Sequence, residues 1–135
     1  MKVGDTAVHT FTVSDEIVRG FSELTGDRNP VHLDEEFAQR TRFGRRIAHG
    51  MIAASQISAA IGNILLPGPG TIYLNQTLQF LAPVFIGDIV TTRVTVISIK
   101  KGKPMATLET TCENQRGDVV LKGEAVVLFP QDLKG

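Results

Sequence analysis

The pattern of apolar and polar positions divides the chain into a mainly helical first half and a strand-rich second half. Residues 8–13 alternate well enough to form a first strand. Apolar residues then recur at helical spacing over 17–24, after Ser14, which is a suitable helix cap, and before Gly26, which is a natural stop. The chain is therefore predicted to begin with a strand and an amphipathic helix.

Two further helices are predicted before the strands. Asp34 can cap a short helix over residues 35–40, and residues 41–48 are typical of a loop. From Gly50 to about residue 65 the side chains are apolar or small nearly all round, which favours a buried helix over an amphipathic one. The Pro-Gly-Pro-Gly stretch at 67–70 should end it.

The rest of the chain consists of long segments rich in Val, Ile, Thr and Phe, separated by turn signals. These segments exceed the usual strand length, which indicates a strongly curved antiparallel sheet. A buried helix followed by such strands predicts an α+β fold in which the sheet wraps around the helix. The predicted strands are 71–81, 88–100, 104–114 and 119–129.

Composition narrows the classes of function. A chain of 135 residues is expected to form one domain over 1–135, and its 42% apolar content is that of a globular protein. The 14 basic residues balance the 14 acidic ones, so charge gives no reason to expect nucleic acid or a membrane as partner. The single cysteine, Cys112, fits a reducing compartment, and the N-terminus lacks the pattern of a signal peptide. We therefore expect a cytoplasmic protein.

Candidate chemistry begins at Asp27 and His32, which lie five positions apart on either side of Pro30. Residues five apart point away from each other on a helix, so the chain must turn if the two act together. Pro30 favours a turn because it disfavours a helical backbone at Asn29. From these residues alone, a plain turn between two helices is an equal alternative.

Three stretches carry a resemblance to a known family. They are Asp27-Arg-Asn-Pro-Val-His-Leu-Asp34, Ile47-Ala-His-Gly-Met51 at the entry to the long helix, and Ala82-Pro-Val-Phe-Ile-Gly-Asp88 in the strand region. With these stretches the chain resembles the MaoC-like dehydratases of the hotdog fold, especially the R-specific enoyl-CoA hydratases. The likeness covers nearly the whole chain.

The resemblance implies roles for five residues. Asp27 and His32 would grip the attacking water, and Asn29 would support the loop or the substrate. Gly50 would offer its backbone amide to the thioester carbonyl, and Ser55 would lie near the pocket. The implied reaction is reversible hydration of trans-2-enoyl-CoA to (R)-3-hydroxyacyl-CoA. CoA would be part of the substrate, with no separate cofactor, and the implied setting is fatty acid metabolism or polyhydroxyalkanoate precursor supply.

The residue types suit that chemistry. Hydration of an unsaturated thioester needs a base for water, a proton for the α-carbon and a donor aimed at the thioester oxygen. Asp27 and His32 could supply the first two, in either assignment. Gly50 opens a helix, where a backbone N–H lacks a helical partner and lies at the positive end of the dipole.

Other polar residues have simpler explanations. Ser55 is a candidate for bonding back to a helical carbonyl, and His49 for ordering the loop before the helix. His9 is expected to be solvated, as are the arginines of 40–46. The three histidines lack metal-ligand spacing, so no metal is predicted.

Two enzyme classes and one binding function compete with the hydratase hypothesis. A hotdog thioesterase resembles this chain in fold, but residues 51–66 contain no Asp or Glu to act as base. A 3-hydroxyacyl-ACP dehydratase and a non-catalytic acyl-thioester-binding module are the others, and acyl length and carrier stay open. A homodimer or dimer of dimers is expected, because long strands leave a sheet edge that must be covered.

Overall fold

The computed structural model describes residues 2–63 and 70–129, which form one antiparallel sheet packed against a helix. The helices are α1 Asp15–Thr25, α2 Pro30–Leu33, α3 Glu35–Gln39 and α4 Gly50–Asn63. The strands are β1 Thr6–Thr12, β2 Ile72–Gln76, β3 Gln79–Phe80, β4 Ile89–Ile99, β5 Met105–Glu113 and β6 Val119–Leu128. The predicted helix stop at 67–70 falls largely outside the described residues.

The sheet has the order β1-β4-β5-β6-β2, and β3 pairs separately with β6. Helix α4 packs on β1, β4 and β5 through Ile52, Ile57 and Ile61, which are buried with the inward-facing residues of the strands. The predicted α+β arrangement of sheet and helix is therefore confirmed. Burial of α4 is one-sided, however, because Met51 and Ser55 are exposed.

Local capping explains the helix boundaries. The Ser14 side chain accepts from the Ile17 amide at 3.1 Å, and Asp34 accepts from the Phe37 amide at 3.2 Å, as the sequence predicts. The Pro30 turn differs in detail, because it continues as the one-turn helix α2. Asn29 caps that turn by accepting from the Val31 amide at 3.1 Å.

The predicted single strand over 71–81 is wrong, because β2 ends at Gln76 and β3 begins at Gln79. The break follows from contacts with β6. The Thr77 amide donates to the Glu124 carbonyl and the Glu124 amide donates to the Thr77 hydroxyl, each at 2.9 Å. This brings the Thr77 carbonyl against Gly123, where an added Cβ would lie 1.8 Å from the carbonyl oxygen. Only glycine allows the two backbones to approach so closely.

The single cysteine and the helix lengths also bear on the sequence predictions. Cys112 is fully buried and burial raises the pKa of its thiol, which is typical of a packed thiol and not of a nucleophile. Among the helices of the described segments, none is long and apolar enough to cross a bilayer.

Replacement of Gly123 by alanine should destabilise the fold by roughly 2 kcal/mol or more, because a backbone segment must move. Gly20→Ala is the matched control: this glycine lies inside α1 with no atom near its added Cβ, so alanine should raise stability by up to about 1 kcal/mol. Urea unfolding of both variants measures the difference. Equal free energies of unfolding would show that the close approach at Thr77 is not a constraint.

Candidate active site

Two chain segments bring the predicted catalytic residues together. The segment from the end of α1 through α2 carries Asp27 and His32, and the start of α4 carries His49 and Gly50. One side-chain ligand atom each from Asp27, His32 and His49 lies within 4.8 Å of the others. An open cavity of about 510 Å³ adjoins this cluster, and its lining includes His32, Gly50, Met51, Phe80, Val84 and Leu121.

His32 is held in one tautomer by its surroundings. Its Nδ1 lies 2.7 Å from the Ile47 carbonyl oxygen, which can only accept, so Nδ1 carries the hydrogen. Nε2 is then left with a lone pair. The main chain is also held, because Arg46 Nε donates to the His32 carbonyl at 2.7 Å. The ring therefore presents a proton acceptor in a fixed orientation.

Burial keeps His32 in that form. The side chain is only 8% exposed, and desolvation lowers its pKa below the usual value near 6.5. The bond to the Ile47 carbonyl opposes this lowering of the pKa, His49 adds to it, and the Asp27 carboxylate opposes it weakly. The net direction is downward, so His32 is unprotonated and able to accept a proton near neutral pH.

Within the described residues, Asp27 lies beside His32 but makes no direct hydrogen bond to it. Its carboxylate is exposed and accepts from the Asn29 amide at 3.4 Å. Two hydrogen bonds of about 2.8 Å to one water span roughly 4.5 Å at a tetrahedral angle. One ligand atom of Asp27 lies within 4.8 Å of one of His32, a separation that a single shared water can bridge.

Gly50 is the first residue of α4, so no residue within the helix accepts its N–H. It lines the cavity with His32. The Phe80 ring packs over its α-carbon: an added Cβ would lie 2.8 and 2.9 Å from two ring carbons. The backbone amide of this turn and the aromatic ring thus share one wall of the cavity.

The other two predicted site residues make local contacts. Asn29 caps α2, which is the loop-supporting half of its expected role. The Ser55 hydroxyl donates to the Ile52 carbonyl at 2.6 Å, and Ser55 is not among the residues that line the cavity. This is the simpler of the two explanations considered for Ser55, and its role at the pocket stays a prediction.

Three residues of the site environment were missed or misjudged from sequence. Arg46 was expected to be solvated, but it bonds to the His32 carbonyl and to the Asp15 carboxylate, whose pKa it lowers. His9 was also expected to be solvated, but its Nε2 lies 2.9 Å from the Gln56 side-chain oxygen. Ser22 contacts His49 at 3.1 Å. No local sequence signal distinguishes Arg46 from its basic neighbours, because its partners come from distant segments.

The cluster of Asp27, His32 and His49 is also compact enough for one cation. The sequence spacing does not predict this cluster, because the three residues come together only in the folded chain. His32 Nδ1 and His49 Nε2 each contact a backbone carbonyl, which leaves one nitrogen on each ring and the carboxylate as possible ligands. The absence of a resident metal stays a prediction.

Comparison with known proteins decides the family. The MaoC like domain matches residues 3–116. The chain belongs to the MaoC-like dehydratase family. This MaoC-like chain is 50% identical over 131 residues to a 3-hydroxybutyryl-CoA dehydratase of Methylorubrum extorquens, covering 97% of this chain and 82% of that protein. It is 48% identical over 130 residues to an (R)-specific enoyl-CoA hydratase of Rhodospirillum rubrum, covering 96% and 89% respectively.

A solved structure supports the same assignment. The (R)-hydratase from A. caviae involved in PHA biosynthesis superposes with a TM-score of 0.93 at 45% identity, over 96% of this chain and 98% of that one. The family and the hotdog fold inferred from the three sequence stretches are both confirmed.

The lowered pKa of His32 predicts where activity fails at acid pH. Because the pKa of His32 is lowered from the usual value near 6.5, the acid limb of kcat/KM for hydration should have its midpoint below pH 6.5. The pH dependence of kcat/KM with a fixed enoyl thioester measures this. An acid limb well above pH 6.5 would contradict the assignment of a buried, unprotonated His32.

Proposed function

We propose that this hydro-lyase of the MaoC-like family catalyses the R-specific, reversible hydration of trans-2-enoyl-CoA to (R)-3-hydroxyacyl-CoA. The observation that carries the proposal is the pairing of Asp27 with His32: one ligand atom of each lies within 4.8 Å of the other, and the bond from His32 Nδ1 to Ile47 leaves Nε2 as a proton acceptor. They adjoin a cavity that the first residue of α4 also lines. The names of the two relatives described above supply the substrate class.

The mechanism follows from the acceptors. A water between Asp27 and His32 donates one hydrogen to each, so a lone pair of its oxygen faces away from both and toward the cavity. That lone pair attacks the β-carbon and one of the two acceptors takes the proton. Negative charge moves to the thioester oxygen, where the Gly50 amide at the helix N-terminus stabilises it. The same pair returns a proton to the α-carbon on the face where water entered.

The rival functions have less support. Hotdog thioesterases usually place a catalytic carboxylate on or beside the central helix, and α4 itself carries none over its described length. A binding module needs no base, which leaves the geometry of Asp27 and His32 unexplained. The carrier is the finer question: both relatives carry CoA in their names, which favours CoA over acyl carrier protein. Comparison of kcat/KM for one acyl group on each carrier tests this choice.

We also propose that the enzyme is a homodimer or a dimer of dimers. Within the described residues β2 pairs on one side only, with β6, and leaves its other edge open. Two apolar side chains of β2 itself are exposed, Ile72 at 55% and Leu74 at 47%. Such a surface is typical of an interface. A strictly monomeric mass by light scattering at micromolar concentration would contradict the proposal.

The remaining assignments are part of the same proposal. The buried free thiol of Cys112 suits a reducing compartment, so we place the enzyme in the cytoplasm. An (R)-3-hydroxyacyl-CoA product suits fatty acid metabolism or the supply of polyhydroxyalkanoate precursors. No cofactor beyond the CoA of the substrate is needed for this chemistry.

Asp27→Asn and His32→Ala test the dyad. Asn keeps the shape of Asp but cannot take a proton, so we expect a loss of kcat toward the upper end of about 10²- to 10⁴-fold for either change, with folding intact. The double variant should be little worse than the poorer single one, because the two residues share one water. Loss of ultraviolet absorbance of the conjugated bond measures the rate.

Asp34→Asn is the matched control for that experiment. Asp34 belongs to the same motif but caps α3, and Asn is an equally good cap, so this variant should keep the parent rate. If Asp27→Asn stays within a few-fold of the parent, the dyad is structural and the hydratase proposal fails. Release of free CoA without hydration would favour the thioesterase.

Gly50→Val should lower turnover by roughly tenfold or more without unfolding the protein, because a side chain here enters the cavity wall beside the proposed oxyanion donor. The added side chain must also displace the Phe80 ring, so the control is a double variant that carries Gly50→Val together with Phe80→Ala. If blocking of the amide causes the loss, Phe80→Ala will not restore it. Full recovery in the double variant, or a parent rate in Gly50→Val, would remove Gly50 from the oxyanion role.

A further inference from the structure

His49 has no role in the reaction proposed above, although it is the most buried of the clustered groups. It is 3% exposed, whereas His32 is 8% exposed and Asp27 is an exposed residue. It is also the residue that immediately precedes Gly50. Its ring lies close to both Asp27 and His32.

Its hydrogen bonds reach the dyad segment. His49 Nε2 lies 3.1 Å from the Asp27 carbonyl oxygen and 3.1 Å from the Ser22 hydroxyl. A carbonyl can only accept, so Nε2 carries the hydrogen and donates it to Asp27. The start of α4 is thereby attached to the backbone of the catalytic aspartate, with α1 contributing through Ser22.

Its ring reaches the other member of the dyad. The His49 and His32 rings are stacked, with centroids 3.9 Å apart and planes 29° apart. Phe21 packs against His49 at 4.8 Å. The bond from His32 Nδ1 to the Ile47 carbonyl holds the His32 ring at one edge, and the stack restricts its tilt about that bond.

Stability alone does not explain a histidine here. His49 Nδ1 is buried and, within the described segments, contacts no hydrogen-bond partner. A buried polar atom without a partner costs free energy, and an apolar ring of similar size would avoid that cost. The contacts that need a histidine are therefore the hydrogen bonds to Asp27 and Ser22, whereas the stack on His32 needs only a flat ring.

We propose that His49 is a positioning residue that sets the separation and orientation of Asp27 and His32 and couples both to the Gly50 amide. The proposal rests on the proposed function, since the rate it affects is that of hydration. It assigns no proton transfer to His49. We therefore expect replacement of His49 to lower kcat when Asp27 and His32 are both present, and to have little effect when Asp27 has been replaced.

Two substitutions separate the two kinds of contact. His49→Phe keeps a flat ring for the stack but removes the donor to Asp27. His49→Gln keeps a donor at similar reach but removes the ring. Ser22→Ala, which removes only the partner on α1, is the milder companion. Each is made in the parent and in the Asp27→Asn background, and kcat, KM and melting temperature are measured with the best substrate from a panel of trans-2-enoyl-CoAs.

We expect His49→Phe to lower kcat by ten- to a hundredfold with KM within threefold and the melting temperature near that of the parent. In the Asp27→Asn background the same change should lower kcat less than twofold, because residues that act through one unit are not additive. His49→Gln should retain more of the rate than His49→Phe. A kcat within threefold of the parent, or an equal loss in both backgrounds, overturns the proposal; if His49→Phe does not fold, His49→Gln is judged by the same two criteria.

A readout without activity distinguishes this proposal from the proposed function. Nitrogen-15 spectra of the His32 side chain should show one protonated Nδ1 and one unprotonated Nε2 in the parent, and averaging of the two tautomers when His49 is replaced. A single His32 tautomer in a parent protein that lacks hydratase activity, with averaging in the His49 variants, would reject the function and keep the positioning role. An unchanged His32 spectrum in both variants would reject the positioning role itself.

Discussion

The bond between His32 Nδ1 and the Ile47 carbonyl is the interaction on which the site depends, because it joins segments that lie apart in sequence. The Ile47 amide donates in turn to the Val31 carbonyl at 3.3 Å, and the Ala48 amide to the Val84 carbonyl at 2.7 Å. The three sequence stretches that carry the family resemblance are thus linked by hydrogen bonds at one place. These hydrogen bonds are a physical reason for the three stretches to occur together in one chain.

The same bond determines which nitrogen of His32 is able to accept a proton. By fixing the hydrogen on Nδ1 it leaves Nε2 as an acceptor, and burial lowers the pKa so that the ring stays unprotonated. Arg46 and His49 add contacts to the backbone on either side of the dyad, at the His32 and Asp27 carbonyls. Asp27 and His32 are held by bonds to their main-chain carbonyls and to His32 Nδ1, which leaves His32 Nε2 as an acceptor.

Much of the fold and part of the site could be predicted from sequence because the determinants are local. Ser14 and Asp34 cap helices within their own segments, and alternation defines the long strands. The break after Gln76 could not be predicted, since it depends on a contact between Thr77 and Gly123, which are far apart in the chain. Arg46 and the stacked histidines were missed for the same reason: their partners are supplied by folding.

The stereochemistry of the product tests the central claim most directly. The protein is incubated with a trans-2-enoyl-CoA in deuterium oxide, and the 3-hydroxyacyl thioester is analysed for its configuration and for deuterium at the α-carbon. The proposed R-specific hydration predicts the (R)-3-hydroxy product, and a water and a returned proton handled by one dyad predict solvent deuterium on the same face as the hydroxyl. An (S) or racemic product, or deuterium on the opposite face, would contradict the account.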